Sequence, residues 1–535
     1  MSHANTLIQS GIELFVMSED GASSEIEVPS TITVSDERTP RFDVDHVHAV
    51  MVNSVTQPLI IDDAGIALVM SPTAPTAAAT VAVGAAGSLS GTFYVKYTFL
   101  IRDLDGTIIA ESGFSPVSAS VVLTSDKLAV SALQTLSGYT VATINPRYEI
   151  IRRVYRTSNG TTTYFQWYDV EDNSTTTFED DASDASLAAL AAPTLGTAPF
   201  LSNVASFRDR LFGVNDAEDR DDLLYSETGR RWAWPSTNLF PTPQIKGDIQ
   251  SGITALMPRR DALGLAKSNM LLQLTGTDED DFRIVTLSTS IGAVNQEVVA
   301  KYRDDIYFLG KDGVYVWTDA GNISSVSDGK VRSWFTTDTY FNRDYFDDAF
   351  AIVSPTDKKY LLFLPSAGST TIDSWVELNL DNMTWWGPHV SSAYTFTSAI
   401  TMGSHYPLIG LGTDDGYIAV ETDTRSDDAT DAIITNATLA PIRSSDPPVT
   451  TYWGNITTEV ETQAAGTLSI YPVVGEAEDS EETAFSHDMA TASVNLGRLG
   501  YGRYVILRLY HATISQIVQL LGFEINPVNT VGRRQ

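Results

Sequence analysis

Residues 305–327 read DIYFLGKDGVYVWTDAGNISSVS, and the fold follows from how this stretch is parsed. Three runs, IYFLG, VYVWT and ISSVS, are separated by Lys311-Asp312-Gly313 and by Asp319-Ala320-Gly321-Asn322. The runs are rich in β-branched and aromatic residues, which suit a pleated surface, and the Gly, Asn and Asp positions supply the backbone freedom that short hairpins need. Three successive antiparallel strands are therefore predicted, in the pattern of a β-propeller blade.

The same grammar extends over 203–335, through SFRDRLFGV, DDLLYSETG, ITALMPRRDALGLAKSNMLLQLTG and DDFRIVTL, with no helix-period segment between. It continues through AFAIVSP, KKYLLFLP and SWVELNLDNMTWWG, read as three strands, to the pair around LIGLGTDDGYIAVE with a hairpin at Asp414-Asp415-Gly416. Residues 1–70 carry it too, in IELFVM, HVHAVMVN, QPLIID and GIALVM. The expected fold is all-β: a degenerate β-propeller of five or six blades, its first blades in 1–75 and the rest in 200–425. WD and kelch signatures are missing, which argues against a cellular propeller scaffold.

Two stretches depart from this pattern. Residues 71–90, SPTAPTAAATVAVGAAGSLS, carry no charge and read as an extended linker or loose strand. From 91 to 195 the strands lengthen, and Val95, Tyr97 and Phe99 alternate with Tyr94, Lys96 and Thr98, predicting an inserted fibronectin III-like β-sandwich. DDASDASLAALAA at 180–192, followed by Pro193, reads as a short helix. After a boundary at 425–448, long alternating strands predict a C-terminal β-sandwich over 448–535, with an exposed tail carrying Arg533 and Arg534.

Composition narrows the function. A chain of 535 residues exceeds one ordinary core, and 19% charged with 43% hydrophobic residues is that of an ordered protein. With 34 basic and 67 acidic residues the net charge is −33, so the surface repels nucleic-acid backbones and anionic membranes rather than gripping them. No cysteine is present, which removes disulfides, thiolate zinc sites and thiol nucleophiles. Residues 1–20 lack the basic start and apolar core of a signal peptide, so the expected place is a cytosol, or release from one by lysis.

Three local patterns invite chemistry and are given structural readings. His46 and His48 fall on one face of a strand, as a two-histidine metal pair would, but no third ligand is near. Asp103-Leu104-Asp105-Gly106 opens like a calcium loop yet lacks the distal Glu, so a hairpin turn is expected. The tandem Trp385 and Trp386 resemble a sugar or base platform, while packing between blades is the commoner use of such residues.

The order of parts resembles the tail nozzle of short-tailed, podovirus-type double-stranded DNA phages. The residues that carry the likeness are FRDRLFGV, LLYSETG followed by RWAWP, ITALMP, LLQLTGTDEDDFRIV, SIGAVNQEVVAKYRDDIYFLGKDGVYVW and ISSVSD, with IRRVYRT in the inserted module, DNMTWWG, and FEINPV near the end. The resemblance implies a non-enzymatic virion subunit without cofactor or metal, assembled in the host cytoplasm as a homo-oligomer, a ring of six. It also implies contacts with a tail adaptor protein, tail fibres and the host envelope, around a lumen through which DNA passes without specific binding. Charge fits independently: DNA carries one negative charge per about 1.7 Å of axis, so an acidic wall lets it slide where a basic one would hold it. Candidate lumen-facing acidic loops are Asp278, Glu279, Asp280 and Asp281, and a second group of Asp216, Glu218, Asp219, Asp221 and Asp222, the plain alternative being solvated loop tips.

Two rivals stand beside this reading. A receptor-binding or baseplate hub protein would present sandwich loops to a cell surface. A surface-polysaccharide hydrolase would need two carboxylates about 5 to 9.5 Å apart. Carboxylates are too abundant here for such a pair to be read from sequence, and HExxH, GxSxG and nucleotide-loop motifs are absent.

Overall fold

Strand after strand pairs with its chain neighbour, and the all-β expectation holds in the computed structural model. The structure describes residues 6–17, 23–26, 28–44, 48–139, 147–187, 191–215, 222–240, 252–391, 394–402, 408–414, 418–420, 427–428, 431–432, 435–438, 442–443, 451–460, 466–475, 485–502, 504–511 and 520–527. The chain divides into two compact units, 1–296 and 297–535.

In the first unit, four-stranded antiparallel sheets in sequence order span 41–69, 201–240 and 255–288, preceded by a three-stranded sheet over 6–25. The 201–240 and 255–288 sheets pack face to face through Phe207, Phe212, Val214 and Leu223 on one side and Leu256, Leu265, Leu272 and Leu274 on the other. Because such a sheet is covered on both faces, Leu263–Lys267 is buried at every position and period-2 alternation disappears.

Between the first two of these four-stranded sheets lie two more, one of Val95–Asp103, Ile108–Glu111, Tyr148–Thr157 and Tyr164–Val170, the other of Thr80–Phe93, Val121–Ser131 and Phe178–Asp180. Their facing residues, among them Phe93, Val95, Tyr97, Phe99, Leu123, Leu128 and Val154, share one apolar core. The uncharged stretch 71–90 ends in the 14-residue strand Thr80–Phe93, whose small residues line the long pairing with Val121–Ser131. Thr98, on the face opposite Tyr97 and Phe99, is fully buried as well, its hydroxyl donating to Glu111 inside a polar network. The helix expected over 180–192 is one turn, Asp184–Leu187, with 188–190 outside the described residues.

In the second unit, four-stranded antiparallel sheets span 300–325 and 350–390, and a three-stranded sheet spans 396–420. Strands Asp305–Gly310, Gly313–Trp317 and Ile323–Ser325 pair as read from the opening stretch. A short helix, Arg332–Thr336, and a 3-10 turn, Arg343–Asp348, follow them; five or six residues are too few to show a helical period. The tryptophan pair does not close a third strand but begins a fourth, Trp385–Val390, after a turn through Asp381-Asn382-Met383. Further on, Thr435–Thr438 and Ile442–Arg443 pair with Tyr504–His511, so the terminal sheets begin inside the stretch read as a boundary. Trp453, Ile456, Ile470, Leu499 and Val505 form the core between these last two sheets. Arg533 and Arg534 lie outside the described residues.

Candidate functional site

The acidic loop 278–281 joins strands Met270–Thr275 and Arg283–Ser288, and it is a structured turn rather than four loose carboxylates. Asp281 Oδ1 accepts the backbone N–H groups of Thr277 at 2.7 Å and Asp278 at 2.9 Å, and these bonds hold its carboxyl below the usual range. Asp278 Oδ1 accepts the N–H of Asp280 at 3.1 Å. Glu279 reaches the neighbouring sheet, where its Oε2 accepts from Arg210 at 2.6 Å. Arg210 is itself buried, donates to Ser226 O at 2.9 Å and lies 5.3 Å from the Tyr225 ring centre. The side chain of Asp280 alone makes no hydrogen bond to another described residue, and all four residues are exposed.

Of the second acidic group, Asp216, Glu218, Asp219 and Asp221 lie outside the described residues. Asp222 is half-buried just before strand Leu223–Tyr225, in the sheet that also holds Arg210. The Arg210–Glu279 pair thus ties the first acidic loop to the sheet that precedes it.

His46 lies outside the described residues, and no group of three metal-ligating side chains occurs among those described. His48 is half-buried in strand His48–Val52 and lines a cavity of about 650 Å³ with Asp103, Arg208, Arg231 and Trp232. Asp103 closes the expected hairpin, with Oδ1 accepting the Thr107 N–H at 2.7 Å and its carbonyl accepting the Gly106 N–H at 3.0 Å. Two residues read separately from sequence are brought to one cavity whose charges are mixed.

The two tryptophans of the pair separate completely. Trp385 turns inward, donates Nε1–H to Val326 O at 3.0 Å and meets Trp334 and Phe335 edge-on, which is the packing role expected from sequence. Trp386 is 58% exposed, the one tryptophan among the described residues that faces solvent. It lines a cavity of about 380 Å³ with Lys359, Glu377, Asn379 and His389.

Sequence reading missed the buried charges of the inserted module. Arg152 and Arg156 are fully buried on one face of strand Tyr148–Thr157. Arg152 donates to Gln134 O at 3.2 Å and to Thr175 O, and Arg156 donates to Thr157 O at 2.9 Å, to Asp184 at 2.6 Å and to Ala182 O. On the opposite face Glu111 is buried, accepting from Thr98 at 2.8 Å and Tyr155 at 2.7 Å, and burial pushes its carboxyl above the ordinary value. The available signal was the spacing of IRRVYRT, which places Arg152 and Arg156 four apart on the face shared with Ile150 and Val154.

No family model matches the chain, and no curated protein does. Among solved structures, PorZ, a surface component of the type-IX secretion system of Porphyromonas gingivalis, is 9% identical, with 98% of this chain and 86% of that chain covered and a TM-score of 0.24. The extracellular domain of a putative hybrid two-component system from B. thetaiotaomicron is 7% identical over 96% of this chain and 82% of that chain, with a TM-score of 0.23. An apocarotenoid oxygenase from Synechocystis is 8% identical over 75% and 78%, with a TM-score of 0.24. At these scores the likenesses carry no argument about fold or function.

Proposed function

We propose that the chain is a structural subunit of a phage tail, a non-enzymatic nozzle protein that assembles as a ring of six around a passage for genomic DNA. The observation that carries this reading is a net charge of −33 on a chain built from sequential four-stranded antiparallel sheets. In this reading the sheets over 41–69, 201–240, 255–288, 300–325, 350–390 and 396–420 are propeller blades, and the two sheets over 80–180 are an inserted fibronectin III-like sandwich. The terminal sheets from 435 onward are a second sandwich.

The acidic turn at 278–281 supports a lumen role because the carboxylates of Asp278 and Asp281 are held by backbone N–H groups and that of Glu279 by Arg210, not by mobile surface lysines. With Glu279 paired to Arg210, the three aspartates are left as a fixed negative charge that repels the phosphate backbone. The ring contacts the tail adaptor protein, tail fibres and the host envelope, and no cofactor takes part. A receptor-binding role in the virion is the second reading, and the solvent-facing Trp386 is what favours it.

The test is static light scattering of the full chain with a parallel DNA mobility shift. A mass near six times 58.1 kDa and no shift of duplex DNA is the expected result. A monomer or trimer under all salt conditions, or tight DNA binding, overturns it.

A further inference from the structure

We propose that the open margin of the 350–390 sheet is a binding site for a neutral saccharide, with the Trp386 indole as platform, Glu377 and Asn379 as hydroxyl-recognising groups and the His389 ring as part of the floor. Phe350, Phe363, Trp375 and His389 are successive cross-strand partners, and so are Leu361, Glu377 and Trp386, then Lys359 and Asn379. These rows therefore share one face of the sheet. At its inner end this face is core: Phe350 stacks on Phe363 at 4.8 Å, and Phe396 of the 396–420 sheet closes on Phe363 and Trp375 at 5.5 and 6.0 Å. At its outer end it opens into the cavity of about 380 Å³, within the range of roughly 300–1,000 Å³ usual for small-ligand sites.

The polar groups at the opening are held in place before any ligand arrives. Glu377 is fixed by Lys359 at 3.0 Å and by the Trp375 indole at 3.4 Å. The His389 ring stacks on Trp375 at 5.1 Å and packs into the floor, its Nε2 buried, 3.9 Å from Glu377 and without a hydrogen-bond partner among the described residues. Asn379 Oδ1 accepts the N–H groups of Asp381 and Asn382 at 3.0 and 3.1 Å, which fixes the amide orientation and leaves its Nδ2 hydrogens to donate outward. A flat exposed indole beside a rigid donor and acceptor set matches a pyranose, whose C–H face packs on the electron-rich ring while hydroxyls bond at the edge. A neutral ligand also meets no penalty from a chain of −33, whereas a nucleotide does. Among the described residues Glu377 is the one carboxylate lining this cavity, and it is already paired, so the proposal is for binding and not hydrolysis.

The experiment is saturation-transfer NMR on the full chain with neutral oligosaccharides of glucose, galactose, N-acetylglucosamine and rhamnose, and with a thymidine dinucleotide as the base-stacking probe. Binding of at least one saccharide is expected, weakened at least about tenfold by Trp386→Ala and by Asn379→Ala, and retained by Trp386→Phe. Trp386 is exposed, so a thermal melt of Trp386→Ala should match wild type. Absence of signal across the sugar panel, binding indifferent to Trp386, or response to the dinucleotide alone overturns the proposal. So does a Trp386→Ala change in assembled mass without any saccharide signal, which would make the indole a subunit contact.

Discussion

Arg156 shows how a charge can be structural glue in an otherwise apolar layer. Its guanidinium lies 5.1 Å from the Phe93 ring centre and 5.7 Å from that of Trp167, and its donors hold Ala182 O, Thr157 O and Asp184. Arg156→Met keeps the volume but takes their donor from two carbonyls and from Asp184 Oδ1, an expected loss of about 3 kcal/mol by chemical denaturation. Glu111 makes the opposite test. Its folded pKa is raised by burial, so its favourable contribution is full below the unfolded glutamate value and is lost as pH rises through the folded one. Glu111→Gln keeps an acceptor for Thr98 and Tyr155 while removing the charge. Denaturation across about pH 4 to 8 should show the variant gaining on wild type as pH rises; a constant difference would contradict the assignment.

At the scale of elements, the hairpin between Leu201–Phe207 and Arg210–Asn215 turns on two consecutive left-handed residues, Arg208 at φ 53° and Asp209 at φ 56°. Side chains with a Cβ are costly there, and Asn-Gly is the preferred pair. Arg208→Asn with Asp209→Gly is expected to stabilise the protein by about 1 kcal/mol, read as a rise in Tm; a drop would mean that Arg208 or Asp209 makes a compensating contact at the 650 Å³ cavity it lines. The turn was not legible in SFRDRLFGV, because Arg208 is no turn former and Asp209, though one, stands without the glycine that marks a tight hairpin. Hairpins marked by glycine were legible, as at Asp103–Gly106 and Lys311–Gly313, since there the sequence itself names the positive-φ position. The helix over 180–192 was over-read for the converse reason: Asp and Ser at its start cap a turn whether or not a helix continues, and Asp184 is engaged by Arg156 and by the N–H of Asn159.

For the whole molecule, the strands of 41–69, 201–240, 255–288, 300–325 and 350–390 were legible because each of these sheets is local in sequence and joined by its own turns, whereas the sheets over 80–180 and from 435 onward interleave distant strands. What was not legible was which member of a pair faces in. Trp385 and Trp386 are adjacent and chemically identical, and only the register of Trp385–Val390 against Ser374–Asn379 sends one to Val326 and the other to solvent. The same holds for the acidic loop, where Glu279 and Asp281 read as free charge but serve Arg210 and the turn backbone. Repulsion between copies carrying −33 each is screened by salt, so ring assembly is expected to strengthen from low to moderate ionic strength. Light scattering that falls steadily over that range would contradict a charge-limited assembly.

The most direct measurement is electron microscopy of the purified full chain at moderate salt, with the symmetry of single particles determined from class averages. Sixfold rings enclosing a bore wide enough for duplex DNA are expected. Monomers, or trimers with no bore, would contradict the nozzle reading and leave the receptor-binding reading in its place.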